Sequence, residues 1–177
     1  MSKLAFIFPG QGAQKAGMGK DFYENSEAAR SFFDQAQKIL DFDLKEMCFG
    51  EHEELNLTEY TQPCMVSVCL AIVQELKKRG INPDITAGLS LGEYAAVAAA
   101  GGMNELDAIK LVRRRGILMQ STVPAGEGAM AAVLGLDAKK IEEILESFEN
   151  VWIANYNCPG QICLLYTSDA ADDTPCV

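Results

Sequence analysis

The chain has 177 residues, 49% of them hydrophobic, so it can bury one ordinary core or one core and part of a second. Its formal net charge of -10 argues against nonspecific nucleic-acid binding, because affinity for polyphosphates comes mainly from lysine and arginine. Apolar runs are too short for a membrane-spanning helix, and the first residues lack a signal-peptide profile. We therefore expect a cytoplasmic protein with neither a nucleic-acid nor a membrane partner.

The six cysteines show no CxxC spacing, and a single histidine, His52, is available to complete a zinc set. Reduced thiols and no metal site are therefore expected. His52 lies in an acidic run, residues 51–54, which favours an ordinary surface histidine.

Residues 4–8 form a short apolar run stopped by Pro-Gly, which predicts a buried strand leading into a glycine-rich loop at residues 10–14. Helical spacing of apolar residues predicts an amphipathic helix over 26–40. A second helix is predicted from Thr61, as N-cap, to about Lys78, with Pro63 in its first turn.

A short strand at residues 84–88 is followed by Ser90 and a run of small residues at 95–100, which is the order strand, tight turn, helix. Asn104 is expected to start the next helix. Alternating strands and helices indicate an α/β fold, a mostly parallel sheet covered by helices.

From Gly128 the pattern predicts a strand at 129–134, a helix capped by Asp137 and ending near residue 148, and a strand at 151–154. The loop at 123–128 is the expected subdomain boundary, which gives a large subdomain over 1–126 and a β-α-β portion over 127–162. Residues 163–177 keep neither a helical nor a strand period. We expect that segment to be non-native read-through or, alternatively, a disordered tail.

The sequence GLSLG at residues 88–92 has the nucleophile-elbow pattern, with glycines two before and two after Ser90, where strand changes to helix. So sharp a turn excludes flanking side chains and holds the hydroxyl at a helix N-terminus, where backbone N–H groups favour developing negative charge. The string alone is weak evidence, but its strand-to-helix context predicts a nucleophilic serine.

The loop GQGAQ at residues 10–14 also follows a strand, so a phosphate cradle has to be considered. Lys15 stands where a GxGxxG motif needs glycine, and the sequence has no GK[ST]. Loops at the carboxyl ends of parallel strands share one edge of the sheet, so this loop is expected beside Ser90. The alternative is a plain turn between strand and helix.

Four ordered motifs together resemble the malonyl-CoA:acyl-carrier-protein transacylase family: FPGQGAQ at 8–14, GLSLGEY at 88–94, RGILMQ at 115–120 and ANYNCPGQI at 154–162. The resemblance covers residues 3–162, about the first half of a family member. It implies an α/β-hydrolase-like large subdomain with a parallel sheet, followed by the start of a ferredoxin-like small subdomain.

By this resemblance Ser90 attacks the thioester of malonyl-CoA, and the acyl group then passes to the phosphopantetheine thiol of acyl carrier protein. The backbone N–H groups of Gln11 and Leu91 would hold the oxyanion. Arg115 matches the arginine that binds the malonyl carboxylate, although on sequence alone Arg113, Arg114 and Arg115 would all be surface residues of one helix. Malonyl-CoA is a substrate, and no bound cofactor is implied.

The sequence departs from the family pattern in two places. Leu89 stands where many members have histidine, and the catalytic histidine of the family lies beyond the matching region.

Two alternative functions remain. One is a serine hydrolase or thioesterase, which has no need of Arg115, and the other is a non-catalytic carrier-binding fragment. In related polyketide acyltransferases an apolar residue after the serine goes with malonyl, so Leu91 favours malonyl.

Overall fold

The computed structural model describes residues 3–122 and 128–167, which form a mixed α/β fold with one parallel and one antiparallel sheet. The chain divides into two compact units, residues 1–120 and 121–177. The boundary predicted at residue 126 lies outside the described residues.

The elements that begin in the first unit are mostly helical. They are β1 (Ala5–Phe8), α1 (Lys20–Asn25), α2 (Glu27–Gln37), α3 (Leu44–Phe49), a 3₁₀ turn (Glu53–Asn56), α4 (Thr58–Lys78), β2 (Ile85–Gly88), α5 (Gly92–Ala99) and α6 (Glu105–Thr122). The two strands pair in parallel, with Ala5 opposite Ile85 and Phe8 opposite Gly88. The carboxyl ends of β1 and β2 therefore lie side by side.

Helix α2 begins where the sequence predicts. The Ser26 hydroxyl caps it by accepting a hydrogen bond from the Ala29 N–H at 3.0 Å. Its apolar face, which includes Phe32 and Phe33, is buried in a core centred on α4. Twelve of the 21 residues of α4 are buried, so this helix is surrounded by protein on most sides.

The predicted start of α4 is wrong. The helix begins at Thr58, three residues before the expected N-cap, and Thr61 lies inside it. The Thr61 hydroxyl instead donates to the carbonyl oxygens of Leu55 and Leu57. The Thr58 N–H, free in an isolated helix, donates to the side-chain oxygen of Gln120 at 3.0 Å. A side chain 62 positions away in the sequence thus accepts the hydrogen bond of the first N–H of the helix.

Helix α6 is capped as predicted, since the Asn104 side chain accepts from the N–H groups of Leu106 and Asp107. The helix crosses the first turn of α4 at Gly116. A Cβ on that glycine would lie 2.8 Å from the Thr58 carbonyl oxygen and 2.8 Å from the Glu59 Cα, so only glycine permits this separation.

The second unit holds β3 (Gly128–Leu134), α7 (Ala138–Leu145), β4 (Val151–Cys158) and β5 (Gln161–Thr167). Asp137 caps α7, as predicted, by accepting from the Lys139 N–H at 2.9 Å. The three strands form an antiparallel sheet in the order β3-β5-β4.

The expectation that regular structure stops at Cys163 is wrong for residues 163–167. They belong to β5, the central strand, which pairs with β3 on one side and β4 on the other. β5 follows β4 through the turn at Gly160, whose φ is 78°, and backbone pairing on both sides holds the strand despite its weak side-chain alternation. Residues 168–177 lie outside the described part of the chain.

Candidate active site

Ser90 occupies a sharp turn between the end of β2 and the start of α5. Its φ of 48° is in the left-handed region, which is uncommon for a residue other than glycine. Such strain is typical of functional turns, where the surroundings hold an unfavourable backbone conformation. The residue is exposed, so the predicted elbow is observed with its hydroxyl-bearing residue at the surface.

The two glycines of the elbow are sterically required. A Cβ on Gly88 would overlap the backbone of Gly92, and a Cβ on Gly92 would overlap the carbonyl group of Phe8. The first contact closes the turn on itself, while the second brings the start of α5 against the end of β1. The spacing of glycines around Ser90 therefore follows from packing on both sides of the turn.

The glycine-rich loop lies against this elbow. The Leu89 N–H continues the sheet by donating to the Phe8 carbonyl at 3.1 Å, and a Cβ on Gly10 would meet the Leu89 carbonyl oxygen at 2.9 Å. The expectation that loop and elbow share one edge of the sheet is confirmed. Among the described residues, neither the Gln11 N–H nor the Leu91 N–H has a hydrogen-bond acceptor.

Arg115 is half-buried and held on two sides. Its Nη1 donates to Oε1 of Gln62 at 2.6 Å, and its Cζ lies 5.6 Å from the centroid of the Tyr94 ring. Gln62 is buried in α4 and its amide nitrogen contacts Met119 Sδ at 3.3 Å. Tyr94 lies on α5, one helical turn after Ser90. These contacts link the guanidinium to the helix that follows the elbow.

The neighbouring arginines have different surroundings. Arg114 is exposed, whereas the Arg113 side chain is only 13% exposed, so the expectation of a surface residue is wrong for Arg113. Arg113 donates to both carboxylate oxygens of Asp41, at 2.9 and 3.0 Å, and its Cζ lies 5.0 Å from the Tyr60 ring. Its role is structural, because every nitrogen of the guanidinium already has a protein acceptor.

Sequence reasoning missed Gln62 and Tyr94 as partners of Arg115. A signal for Gln62 is present, since a long polar side chain precedes the otherwise apolar run at residues 63–66, and a buried amide needs hydrogen-bond partners. Tyr94 carries no comparable signal.

Other candidate nucleophiles and bases lie elsewhere. The pKa of the Cys48 thiol is raised mainly by a hydrogen bond with Cys64 and secondly by burial. Burial raises the pKa of Cys69 to about 11. Both thiols therefore stay protonated and unreactive at neutral pH. His52 Nε2 lies 3.0 Å from Glu46 Oε1, and His52 lines a cleft with Gln14 that does not include Ser90.

Within the described residues no group of histidine, cysteine and carboxylate side chains has the geometry of a metal site. Over the same part of the chain, the helices are too short or too polar to cross a membrane.

The fold and the strained serine define a class, an α/β protein with a nucleophile elbow. A family model described as "Acyl transferase domain" matches residues 5–174. The chain is 46% identical over 177 residues to the malonyl CoA-acyl carrier protein transacylase of Bacillus subtilis strain 168, with 97% of this chain and 56% of that protein covered.

Two solved structures are similar over 97% of the chain. The malonyl CoA-acyl carrier protein transacylase of Clostridium perfringens is 42% identical, with a TM-score of 0.87 and 55% of that protein covered. A malonyl-transacylase in complex with a type II PKS acyl-carrier protein is 37% identical, with a TM-score of 0.86 and 57% covered.

The chain therefore belongs to the malonyl-CoA:acyl-carrier-protein transacylase family, within the acyl transferase domains. It spans about half the length of the curated relatives it matches, and the matched half is the N-terminal one.

Proposed function

We propose that the family-length protein containing this sequence transfers a malonyl group from malonyl-CoA to the phosphopantetheine thiol of acyl carrier protein, in fatty-acid synthesis. The observation that carries the proposal is Arg115, a cation held against Tyr94 on the helix that follows the nucleophile elbow. A hydrolase of uncharged esters has no use for such a cation beside its serine. An enzyme that binds a negatively charged acyl group does need such a cation, because the cation pairs with the carboxylate of the acyl group.

The reaction has two half-steps through one acyl-serine. The Ser90 oxygen attacks the thioester carbonyl and loses its proton to a base, and the C–S bond breaks as coenzyme A leaves as a thiol. The carrier thiol then attacks the acyl-serine, and the Ser90 hydroxyl is restored. The strained φ of Ser90 and its exposure support this role, because a nucleophilic serine has to be held in a sharp turn where substrate can reach it.

Charge on the carbonyl oxygen needs donors in both half-steps. We assign them to the backbone N–H groups of Gln11 and Leu91, which have no acceptor among the described residues. Loss of one such donor typically slows acyl transfer by about 10²–10³.

Arg115 is assigned to the far end of the substrate. Among the described residues Gln62 is the hydrogen-bond acceptor of one guanidinium nitrogen, which leaves the other N–H groups for a carboxylate. A planar fork binds a carboxylate through two parallel hydrogen bonds, which lysine cannot match. Leu91 after the serine favours malonyl over a branched acyl group.

The proposal also covers the fold of each subdomain and the source of the general base. The first unit would be part of an α/β-hydrolase-like large subdomain over residues 1–126, and the sheet β3-β5-β4 with α7 would be the start of a ferredoxin-like subdomain from residue 127. The general-base histidine would come from the half of the family fold outside this sequence. The carrier-protein complex of the similar transacylase supports the same partner for this protein.

The decisive experiment restores the missing half. Residues 1–167, which include the whole of β5, would be joined to the corresponding second half of the Bacillus subtilis relative and assayed with malonyl-CoA, acetyl-CoA and carrier protein. Malonyl transfer that Ser90→Ala abolishes supports the proposal. Hydrolysis without transfer would support a thioesterase instead, and carrier binding without either reaction would support a non-catalytic module.

A further inference from the structure

Thr58, the first residue of α4, touches two separate parts of the candidate active site. Its hydroxyl oxygen accepts a hydrogen bond from Gln11 Nε2 at 2.9 Å. Its N–H donates to Gln120 Oε1 at 3.0 Å, and its carbonyl oxygen faces Gly116 at the crossing of α4 and α6. Side chain and backbone of one residue therefore contact both the glycine-rich loop and α6.

On the loop side, two side-chain hydrogen bonds hold residues 10–14 against the start of α4 and the 3₁₀ turn that precedes it. Gln11 bonds Thr58, and Gln14 Nε2 donates to Asn56 Oδ1 at 3.1 Å. Gln14 also accepts from the Gly12 N–H at 2.8 Å. Gln11 thus has two roles: its side chain bonds Thr58, and its backbone N–H is assigned to the oxyanion.

On the helix side, the α6 residues that contact Thr58 lie close to Arg115 in the sequence. Gly116 is the next residue along the chain, and Gln120 lies just over one turn further. Because the backbones of α4 and α6 meet at Gly116, a shift of Thr58 changes the position of α6 where it carries the guanidinium.

We propose that Thr58 is a positioning residue that sets the separation between the oxyanion loop and Arg115. The proposal rests on the function proposed above. A malonyl group would be held at both ends, its thioester oxygen by the loop and its carboxylate by Arg115, so the distance between the two anchors has to match the substrate. An acetyl group uses only the first anchor.

The variant Thr58→Val keeps the shape of the side chain and removes the acceptor for Gln11. In the completed protein, which is this sequence joined to the second half of the relative, we expect kcat for malonyl transfer to fall about tenfold while KM stays within about twofold. A misplacement of about 1 Å can lower a rate by up to about 10²-fold. The loss for acetyl should be smaller. Thr58→Ser should recover most of the rate, because it restores the hydroxyl.

Thr61→Val is the matched control. It is the same substitution one turn later in α4, and it removes a buried hydroxyl that, within the described residues, bonds the carbonyls of Leu55 and Leu57 alone. It should lower stability while leaving kcat and the malonyl-to-acetyl ratio unchanged. A purely structural role for Thr58 would make the two variants alike, and that result would overturn the proposal.

A second measurement uses the 177-residue chain itself. Backbone ¹⁵N order parameters of Gln11 and Gly12 should fall from about 0.85 toward about 0.6 in Thr58→Val and stay unchanged in Thr61→Val. Unchanged values in both variants would overturn the positioning role even if the completed protein were inactive. Inactivity of the unmodified completed protein would instead contradict the proposed function and leave the order parameters to decide the role of Thr58.

Discussion

The Arg113 guanidinium donates to the Glu59 carbonyl oxygen at 2.8 Å. That carbonyl lies four residues before Pro63, which has no N–H to offer it inside α4. Arg113 therefore supplies the hydrogen bond that the proline removes, and it also reaches Glu59 Oε2 at 3.1 Å. A proline in the sixth position of a 21-residue helix is tolerated because another helix satisfies the freed acceptor.

We expect Arg113→Met to lower the free energy of unfolding by about 2–3 kcal/mol, since a buried acceptor and a carboxylate both lose a charged donor. Arg114→Met, one position along on the exposed side of α6, should change it by less than about 0.5 kcal/mol. Urea denaturation followed by circular dichroism measures both. Equal losses would show that Arg113 contributes no more than a surface residue.

The pair with Asp41 predicts a dependence of stability on pH. The hydrogen bond from Arg113 holds the pKa of the Asp41 carboxyl below its ordinary value. A carboxyl with a depressed folded-state pKa stabilises the fold above its unfolded pKa and loses that contribution as the pH falls. The stability difference between wild type and Asp41→Asn should therefore be present at about pH 6 and shrink steadily as the pH falls below the ordinary pKa of an aspartate.

The Asp41 side chain is 67% exposed, so solvent screening keeps this difference below about 1 kcal/mol. High salt should reduce it at about pH 6. The control is Asp43→Asn, where the carboxylate accepts from the backbone N–H groups of Lys45 and Glu46 rather than from an arginine. A difference between wild type and Asp41→Asn that grows as the pH falls would contradict the expected sign.

Arg115 predicts substrate selectivity rather than general activity. In the completed protein, Arg115→Ala should lower kcat/KM for malonyl transfer by about 10- to 100-fold, the cost of losing hydrogen bonds to a charged group. Transfer of an acetyl group should be spared or raised, because acetyl has no carboxylate to lose its partner. Parallel assays with malonyl-CoA and acetyl-CoA measure the ratio, with Arg114→Ala as control. Equal losses for both acyl groups would indicate a folding role.

Features that depend on nearby residues could be predicted from the sequence. The caps of Asn104 and Asp137 are side chains bonding the backbone two or three residues ahead, and the strand-turn-helix context of Ser90 is equally local. Because the chemistry of each feature is complete within a few residues, its pattern is enough to identify it.

Features that depend on distant residues could not be predicted. The start of α4 depends on Gln120, and the burial of Arg113 depends on Asp41, which is 72 residues away in sequence. β5 is a strand because β3 and β4 flank it, not because its own side chains alternate. In each case the partner that decides the structure lies outside the window in which a pattern is read.

Within the described residues of the first unit, one face of the parallel sheet is uncovered, which predicts self-association of the 177-residue chain. Ala5 pairs with Ile85 on this face and Ile7 with Ala87, and Ile7 is 78% exposed and Ile85 54% exposed. Parallel sheets in stable proteins are covered on both faces, and exposed apolar patches drive association. We expect aggregation that increases with protein concentration.

The double variant Ile7→Thr, Ile85→Thr should extend the concentration range in which the chain is monomeric, with a similar free energy of unfolding, because threonine keeps the strand propensity. Val66→Thr, at a core position that is 1% exposed, should destabilise without this benefit. Sedimentation velocity at several concentrations measures association. Self-association that is unchanged by the double variant would mean that another surface drives it.

The last prediction concerns catalysis by the 177-residue chain alone: it should not turn over malonyl-CoA. General-base help typically contributes about 10²–10⁴ to such a reaction, and the single histidine of the sequence, His52, is paired with Glu46 outside the elbow. Without a base the Ser90 hydroxyl stays protonated and is a weak nucleophile even with both oxyanion donors in position. Intact-mass measurement after incubation with malonyl-CoA, with Ser90→Ala as control, checks the expectation. A serine-dependent malonyl adduct that passes to carrier protein at enzyme-like rates would mean that the N-terminal half activates Ser90 without a histidine.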